Sequence, residues 1–510
     1  MTEITDENIR DFVKLYCHNN KTELPEDLRE KPIGKWDVSR VTNMKALFYE
    51  KTEFNEDINE WDVSNVTNMS EMFNYATSFN QPLNNWNVSN VTHMEGMFAG
   101  ARSFNQPLNT SLDKWNVSAV KNMKRMFSEA RTFNQPLNKW DVSKVEDMFS
   151  MFSETLSFNQ SLDEWKVSSV TDMSEMFYEA VAFNQPLNNW DVSNVTDMGG
   201  MFKYALVFNQ PIDNWNVSAV ENMDYMFSTA RSFNQPINKW NVSNVKNMEF
   251  MFSESESFNQ PLDKWDVSAV ETMRGMFGYA IAFNQPLNDW NVSAVENMSI
   301  MFSAATSFNQ PLNKWDVSAV ENMSGMFLYA ESFNQPLNDW TIKDECDMED
   351  MFHGADSFDL INSPVKRLKL EGDITIKRSE VQEGMREPWW EHPWSDMVTL
   401  IPFESGENIV IFNGQESEKD TQSITNFILK EETYKDLKAT QDHPKIPTSN
   451  APITSAKLYK LVIEEDKGDK PEGVELSGGR RKTVRRKRRV SKRRKSARRK
   501  SARRKSARSI

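Results

Sequence analysis

Large apolar residues recur every 25 residues along most of the chain. Tryptophan marks each period, at positions 36, 61, 86, 115, 140, 165, 190, 215, 240, 265, 290, 315 and 340. Every interval is 25 residues except one of 29, which indicates an insertion near residues 109–112. Self-similarity at a fixed period of this length is the signature of a repeat architecture. The sequence therefore predicts a solenoid of thirteen coils over residues 34–358.

Two local structures are predicted within each unit, which reads W-[DN]-V-S-x-V-x-[ND]-M-x-x-M-F-x-x-A-x-x-F-N-Q-P-[LI]-[ND]-x. Met69, Met72, Phe73 and Ala76 have the i, i+3, i+4, i+7 spacing of one helical face, and Asn68 suits the N-cap. Trp and Val alternate with polar residues in Trp-Asp-Val-Ser, which predicts a short strand. Proline, which breaks a strand ladder, marks the corner before it. The predicted fold is an α/β repeat solenoid, with one short parallel strand and one short helix per coil.

A single unit cannot fold alone. Ordering its backbone costs about 1–2 kcal/mol per residue, whereas each large side chain that is buried returns only about 1.5–3 kcal/mol. The coils must therefore stack and share their apolar faces. We expect the Trp, Phe and Met columns to be core, not a ligand groove. The Asn and Gln of Phe-Asn-Gln-Pro are expected to form amide ladders at a corner.

The segments that flank the repeat are predicted to differ from it. Residues 1–33 are expected to form an N-terminal helical cap, with Thr5 or Asp6 as N-cap and one apolar face. That face consists of Ile9, Phe12, Val13 and Tyr16. Residues 359–466 are expected to form a β-rich segment with a linker. Strands are predicted at residues 365–370, 374–376, 397–403, 409–412 and 458–463, a helix at 423–437, and an aromatic cluster at Trp389, Trp390 and Trp394 that is either core or a partner site.

The repeat motif resembles that of the BspA-type leucine-rich-repeat surface proteins. It is most similar to the variant of mycoplasma lipoproteins that also occurs in large DNA viruses. The resemblance implies a leucine-rich-repeat-like fold, with a parallel sheet on one side and short helices on the other. It also implies adhesion or protein binding. Family members in bacteria carry secretion signals, whereas the acidic N-terminus of this chain shows no apolar signal region.

One column of residues is a candidate partner face. The residue after each Trp is expected to point outward, beside a more variable residue that precedes Trp. The alternative is that these Asp and Asn side chains satisfy exposed turn groups. One carboxylate per coil falls short of the six to eight oxygens that calcium takes, so no metal is expected. The candidate residues are Asp62, Asn87, Asn116, Asp141, Lys166, Asp191, Asn216, Asn241, Asp266, Asn291 and Asp316.

Charge divides the chain into an acidic body and a basic tail. Residues 480–510 contain 19 Lys and Arg and no acid, which leaves 41 basic and 74 acidic side chains elsewhere. Such a tail, residues 467–510, is expected to be disordered and to bind nucleic acid or another polyanion. Nuclear targeting and docking on acidic protein surfaces are the alternatives. The candidate binding residues are Arg485, Arg486, Lys487, Arg488, Arg489, Arg493, Arg494, Arg498, Arg499, Arg503 and Arg504, and the candidate phosphorylation sites are Ser496, Ser501 and Ser506.

No constellation in the sequence indicates catalysis. The five histidines are isolated and do not repeat with the unit, and the two cysteines provide neither a disulfide framework nor a metal-ligand spacing. We therefore expect a monomeric, non-enzymatic interaction scaffold without a cofactor, inside a cell or a virion. A surface adhesin is the alternative. An enzyme within residues 365–466 is a third hypothesis.

Overall fold

The structure, a computed structural model, confirms the repeat solenoid. Neighbouring coils are stacked in register, and twelve parallel β-bridges join them from Asn43 to Asp347, with one bridging residue in each coil. The inserted residues 109–112 lie outside the described part of the chain. The structure describes residues 2–18, 20–108, 115–343, 345–359 and 362–364, and the backbone of four later strands.

The core consists of continuous columns of apolar side chains. Coil positions are counted here from each Trp as position 1; positions 1, 3, 6, 9, 12, 13 and 19 are buried in almost every described coil. The ring of Phe177 stacks 4.1 Å from Phe183 in its own coil and 5.6 Å from Phe202 in the next. Trp190 is buried, and its indole N–H donates to the Leu162 carbonyl at 2.9 Å. The prediction that these columns are core is confirmed.

The helix predicted in each coil is wrong. Positions 9–16 form consecutive β-turns, in which Met72 N–H donates to the Met69 carbonyl and Asn74 N–H to the Glu71 carbonyl. The N–H groups between them donate to the following coil, as Glu71 does to Glu95 at 2.7 Å. Positions 11 and 15 are left-handed, with φ of 57° at Glu71 and 54° at Tyr75. The turns and the neighbouring coil thus use the backbone groups that a helix would satisfy internally.

Coil spacing explains this outcome. Packed helices need about 8–10 Å between their axes, but the stacked Phe177 and Phe202 rings are only 5.6 Å apart. One α-helix per coil would not fit this separation, whereas a backbone ladder between parallel chains repeats at about 4.8 Å. The i, i+3, i+4, i+7 pattern is the same in both structures because both bury Met, Met, Phe and Ala on one side.

The strand predicted at Trp-Asp-Val-Ser is also wrong. Val66 N–H donates to the Val63 carbonyl at 2.9 Å, so the chain turns directly after Trp61. Among the described residues of each coil, only the one at position 8, such as Asn68, makes a parallel bridge to the next coil. The side chain of Asn68 accepts the N–H of Ser70 at 2.9 Å. It therefore caps a β-turn and not the predicted helix.

The amide ladder predicted at the Phe-Asn-Gln-Pro corner is confirmed. Asn80 Oδ1 accepts the backbone N–H of Asn105 at 3.0 Å and the Nε2 of Gln106 at 3.1 Å. The same bonds recur along the described coils, for example from Asn209 and Gln210 to Asn184. These side chains join coils at the corner, where proline removes a backbone donor.

The N-terminal cap substitutes for a missing coil. Helix α1, Ile9–Cys17, buries Ile9, Val13 and Tyr16, but its N-terminus has no side-chain cap, so Thr5 and Asp6 were wrongly predicted for that role. Asp6 instead accepts the N–H groups of Thr42 and Asn43 at 2.8 and 3.0 Å. In later coils the preceding coil provides the acceptor, as Thr42 does for Thr67. The Asp6 carboxylate therefore completes the open edge of coil one.

Arg10 completes the other half of the same edge. Its guanidinium donates to the carbonyl of Lys45 and, at 3.5 Å, to the carbonyl of Asn43. In coil two, Asn68 and Ser70 occupy the positions of Asn43 and Lys45. Their carbonyls accept backbone N–H groups from coil one, and the same bonds recur in later coils. The cap then continues through Lys21–Glu23, helix α2 at Glu26–Arg29 and Ile33–Lys35. At the far end, Met348, Phe352 and Phe358 are only partly buried.

A four-stranded sheet follows the solenoid in the chain. Its strands are β1 (Leu370–Lys377), β2 (Asn408–Gly414), β3 (Asn426–Lys430) and β4 (Ile453–Glu464). Strand β1 runs parallel to β4, and β2 lies antiparallel to both β3 and β4, in the order β1-β4-β2-β3. The strands predicted at 374–376, 409–412 and 458–463 are confirmed, whereas the helix predicted at 423–437 is wrong because it contains β3. Residues 365–369 of the strand predicted at 365–370, residues 397–403 and the Trp389 cluster lie outside the described residues.

Candidate functional site

The predicted partner column at position 2 is exposed, but most of its side chains are used locally. Asp266 Oδ1 accepts the backbone N–H of Ser268 at 3.1 Å and its hydroxyl at 2.6 Å. These bonds hold the pKa of Asp266 below its usual value. The same turn occurs in ten of the eleven candidate residues, and Lys166 replaces the acceptor in the other. The acceptors are Asp62, Asn87, Asn116, Asp141, Asp191, Asn216, Asn241, Asp266, Asn291 and Asp316.

The variable residue before Trp contributes mainly to contacts between coils. Lys139 pairs with Glu164 of the next coil at 2.6 Å. Lys314 pairs with Asp289 of the previous coil at 2.8 Å. Such exposed pairs stabilise by at most about 1 kcal/mol. This column is variable, but its charges are partly matched within the solenoid.

A third surface differs in sequence from coil to coil and includes large aromatic side chains. The turn face comprises positions 10, 11, 14 and 15 of each coil, on the consecutive β-turns. Its backbone is fixed by the inter-coil ladder, while its side chains range from Gly to Tyr, Phe, Lys and Arg. Tyr279 and Tyr329 are 55% and 49% exposed. Sequence reasoning placed these positions on a helix surface and therefore did not identify them as one face.

Glycines on the turn face make room for rings from the preceding coil. A Cβ atom at Gly100 would lie 2.6 Å from the ring of Tyr75. Phe250 lies in the same way over Gly275, and Tyr329 over Gly354. All three glycines have positive φ, as the turns require. The ring in one coil and the glycine in the next therefore form a pair along the solenoid axis.

Tyr75 also reaches across an entire coil. Its hydroxyl donates to Glu129, two coils away, at 2.7 Å, and Arg102 donates to the same carboxylate at 3.0 Å. Burial raises the pKa of Glu129, but the bonds from Tyr75 and Arg102 outweigh it and leave this pKa below its usual value. The hydrogen bond to Glu129 raises the pKa of Tyr75.

Three tyrosines surround a lysine in the middle of the turn face. Lys203 Nζ lies 3.8 Å from the ring centroid of Tyr225 and 5.9 Å from the centroids of Tyr178 and Tyr204. Burial, with the nearby Glu179 carboxylate, raises the pKa of Tyr178 to about 12. An ammonium over a ring is attracted by the ring quadrupole, so Lys203 holds the three tyrosines together as the tyrosine–lysine cluster.

A shallow hollow lies at the edge of the turn face. Its volume is about 340 Å³, and it is lined by Glu254 and Tyr279 at position 15 and by Glu256 and Ile281 at position 17. Among the described residues, no group of three His, Cys, Asp or Glu side chains is arranged to hold a metal ion. Every helix among these residues is too short or too polar to span a membrane. The predicted tail residues, from Arg485 to Ser506, lie outside the described residues.

The coil geometry defines a class of protein, a tandem-repeat solenoid with a constant frame and a variable face. A family profile described as "Mycoplasma protein of unknown function, DUF285" matches residues 17–111, 107–209, 182–280 and 257–363. These matches cover more than half of the chain, which therefore belongs to the DUF285 family. Neither the curated proteins nor the solved structures gave a significant match.

Proposed function

We propose that the solenoid is a non-enzymatic protein-interaction scaffold that recognises its partners with the turn face. The observation that carries this proposal is the exposure of Tyr279 and Tyr329 on a backbone that two sets of hydrogen bonds hold in place. Tyr, Trp and Arg contribute most of the binding energy in protein interfaces. A rigid ladder also reduces the entropy lost when such side chains bind a partner.

Two other surfaces of the solenoid, position 2 and the amide corner, hold the coils in shape, which leaves the turn face for recognition. At position 2, side chains such as Asp266 cap turns, and at the amide corner side chains such as Asn184 join coils. Replacing either kind of residue would disturb the frame. Turn-face side chains can change without loss of a backbone bond, which fits a surface that differs from coil to coil.

For the remainder of the chain, the proposal rests on sequence alone. The basic tail, residues 480–510, is proposed to bind nucleic acid or another polyanion by counterion release. In full-length protein, deletion of this segment is expected to abolish salt-dependent binding to a DNA duplex of random sequence. Unchanged binding would contradict the proposed role of the tail. The resemblance of the repeat motif to that of BspA-type proteins favours an adhesin as a second candidate, which N-glycans on Asn87 would support.

Photo-crosslinking tests the turn face directly. Benzoylphenylalanine at Tyr279 or Tyr329 is expected to crosslink protein partners in an extract of the cells that naturally contain the protein. The same group at Asp266 or Asp316, in the same two coils at position 2, is the matched control. Crosslinks from the controls alone would move the recognition surface to position 2. No crosslink from any of the four sites would contradict the scaffold proposal.

A further inference from the structure

One column beside the turn face changes character in the middle of the solenoid. Position 17 lies in the β-turn of positions 16–19, which the Phe208 N–H closes onto the Ala205 carbonyl at 3.2 Å. Its carbonyl accepts an N–H group from the next coil, as Leu206 does from Ser232 at 3.2 Å. In three consecutive coils it holds Leu156, Val181 and Leu206, and Val207 follows at position 18. Leu156 and Val207 are 36% and 43% exposed. These four residues form the apolar row.

Charged pairs border the apolar row at both ends. Arg131, in the coil before it, pairs with Glu154 at 3.4 Å. Arg231, in the coil after it, pairs with Glu256 at 3.2 Å. Both arginine side chains remain about half exposed, at 43% and 54%. A guanidinium has five N–H donors, so each arginine can bind a further carboxylate.

The tyrosine–lysine cluster occupies the same central coils. Tyr178 and Val181 belong to coil six, and Tyr204 and Leu206 to coil seven. An apolar centre with aromatic residues and a charged rim is the composition of a protein interface. The apolar row and the tyrosine–lysine cluster therefore form one surface, named here the central patch.

A second copy of the chain does not suit the central patch. A two-fold axis through Val181 would place coil five opposite coil seven and coil four opposite coil eight. Arg131 of one copy would then face Arg231 of the other, and like charges in an interface are unfavourable. The arginines at both ends instead match a partner with a carboxylate at each end of its contact.

The spacing of the coils indicates the conformation of that partner. Successive coils are about 4.8 Å apart at the backbone, and the Phe177 and Phe202 rings are 5.6 Å apart. A helix presents one side chain per turn of about 5.4 Å, whereas side chains on one face of a strand are about 6.6 Å apart. Arg131 and Arg231 are four coil steps apart. Over this distance four helical turns stay in register with the coils, whereas four side-chain spacings of a strand extend beyond Arg231 by roughly one spacing.

We propose that the central patch binds an amphipathic helix of a partner protein. The helix lies along the solenoid axis, with an apolar stripe on the apolar row. Acidic side chains about four turns apart bind Arg131 and Arg231. This inference rests on the scaffold function proposed above and assigns it a partner class.

Three synthetic peptides test this assignment with the full-length protein. The first is a helical 20-mer, neutral apart from two Glu 14 residues apart that bracket a Leu stripe. The second has Lys in place of both Glu, and the third has the Leu residues redistributed around the helix. The Glu peptide is expected to bind at least fivefold more tightly than the others by fluorescence anisotropy. If Arg131 and Arg231 did not select carboxylates, the acidic coils would favour the Lys peptide over the Glu peptide.

Variants distinguish the central patch from the basic tail, which also attracts carboxylates but is the same in every variant. Leu206→Gln is expected to weaken the Glu peptide roughly tenfold by removing apolar contact. Arg131→Gln combined with Arg231→Gln is expected to reduce the preference for Glu over Lys to the part that the basic tail contributes. The matched control is Thr306→Gln, also at position 17 but in coil eleven, and its affinity is expected to stay within twofold of the wild type.

Two results would overturn the assignment. One is equal binding of the Glu peptide to wild type and to Leu206→Gln. The other is equal binding of the redistributed peptide and the Glu peptide. Crosslinks from Tyr279 in the earlier experiment, together with either result, would retain the scaffold function and reject only the helix on the central patch. If none of the four sites in that experiment gave a crosslink, the scaffold function itself would fail.

Discussion

Replacing a left-handed residue by glycine distinguishes the turn ladder from a helix. Ala304 lies at position 15 of coil eleven with φ of 53°, and its N–H donates to the Leu328 carbonyl at 2.6 Å. Ala304→Gly retains this bond because it changes only the side chain. In a helix the same change would remove a good helix former and destabilise the protein by about 1 kcal/mol. In the ladder it relieves backbone strain, so the two structures predict effects of opposite sign.

The expected magnitude follows from two opposing terms. A left-handed conformation costs a non-glycine residue about 1–2 kcal/mol. Glycine also increases the entropy of the unfolded chain, which costs about 0.5–1 kcal/mol relative to alanine. The net result is stabilisation by about 0.5–1 kcal/mol. In a thermal scan of a protein of this size, we expect a rise in Tm of roughly 1–2 °C.

A matched substitution in the neighbouring coil provides the control. Ala282 is at position 18 of coil ten, is half-buried like Ala304, and is not among the left-handed residues. Ala282→Gly is therefore expected to lower Tm by a similar amount. Hydrogen exchange of coil eleven would show whether the effect is local. A fall in Tm for Ala304→Gly that equals the fall for Ala282→Gly would refute the turn ladder.

Three further predictions concern the core, the cap and pH. Trp190→Ala is expected to destabilise the solenoid by about 3–5 kcal/mol in urea unfolding, because it leaves a cavity and removes the donor to Leu162; an unchanged midpoint would contradict the core assignment. Asp6→Ala leaves two edge N–H groups without their acceptor and is expected to cost about 1–3 kcal/mol, with faster hydrogen exchange in coil one; unchanged exchange there would show that Asp6 is not a cap. The pKa of Asp266 is lowered in the folded state, so its carboxylate stabilises the fold above the unfolded pKa, and this contribution disappears as pH falls through the folded pKa. Tm measured from about pH 6 to about pH 2 should therefore fall less in Asp266→Asn, which keeps the turn acceptor, and parallel curves would contradict this linkage.

Several elements of the site were not accessible from the sequence. Tyr75 and Glu129 are two coils apart, and only the stacking distance shows that the hydroxyl reaches the carboxylate. The pairing of Phe250 with Gly275 depends on a left-handed residue in each coil, which an apolar pattern does not reveal. The variable residues of positions 10, 11, 14 and 15 were present in the sequence. Their union into one surface required the alternating turn geometry.

The sequence by itself determined the repeat, its register and its core. Trp, Met and Phe recur at fixed positions, and only stacked coils bury enough of them to offset the entropy of folding. The apolar face of residues 9–16 also indicated the helical cap, although the role of Asp6 at the edge of coil one did not follow from it. These conclusions depend on which side chains are buried, and burial follows the period of the pattern.

Only the tertiary structure decided the conformation between the core residues. A helix and a series of β-turns bury the same residues at positions 9, 12, 13 and 16, so the apolar pattern does not separate them. The close stacking of neighbouring coils excludes the helix and directs alternate N–H groups such as Glu71 to the next coil. This ladder brings positions 10, 11, 14 and 15 onto one face, whereas the exposed side chains at position 2, such as Asp266, accept turn hydrogen bonds. Our proposal for the partner surface therefore lies on the turn face and not at position 2.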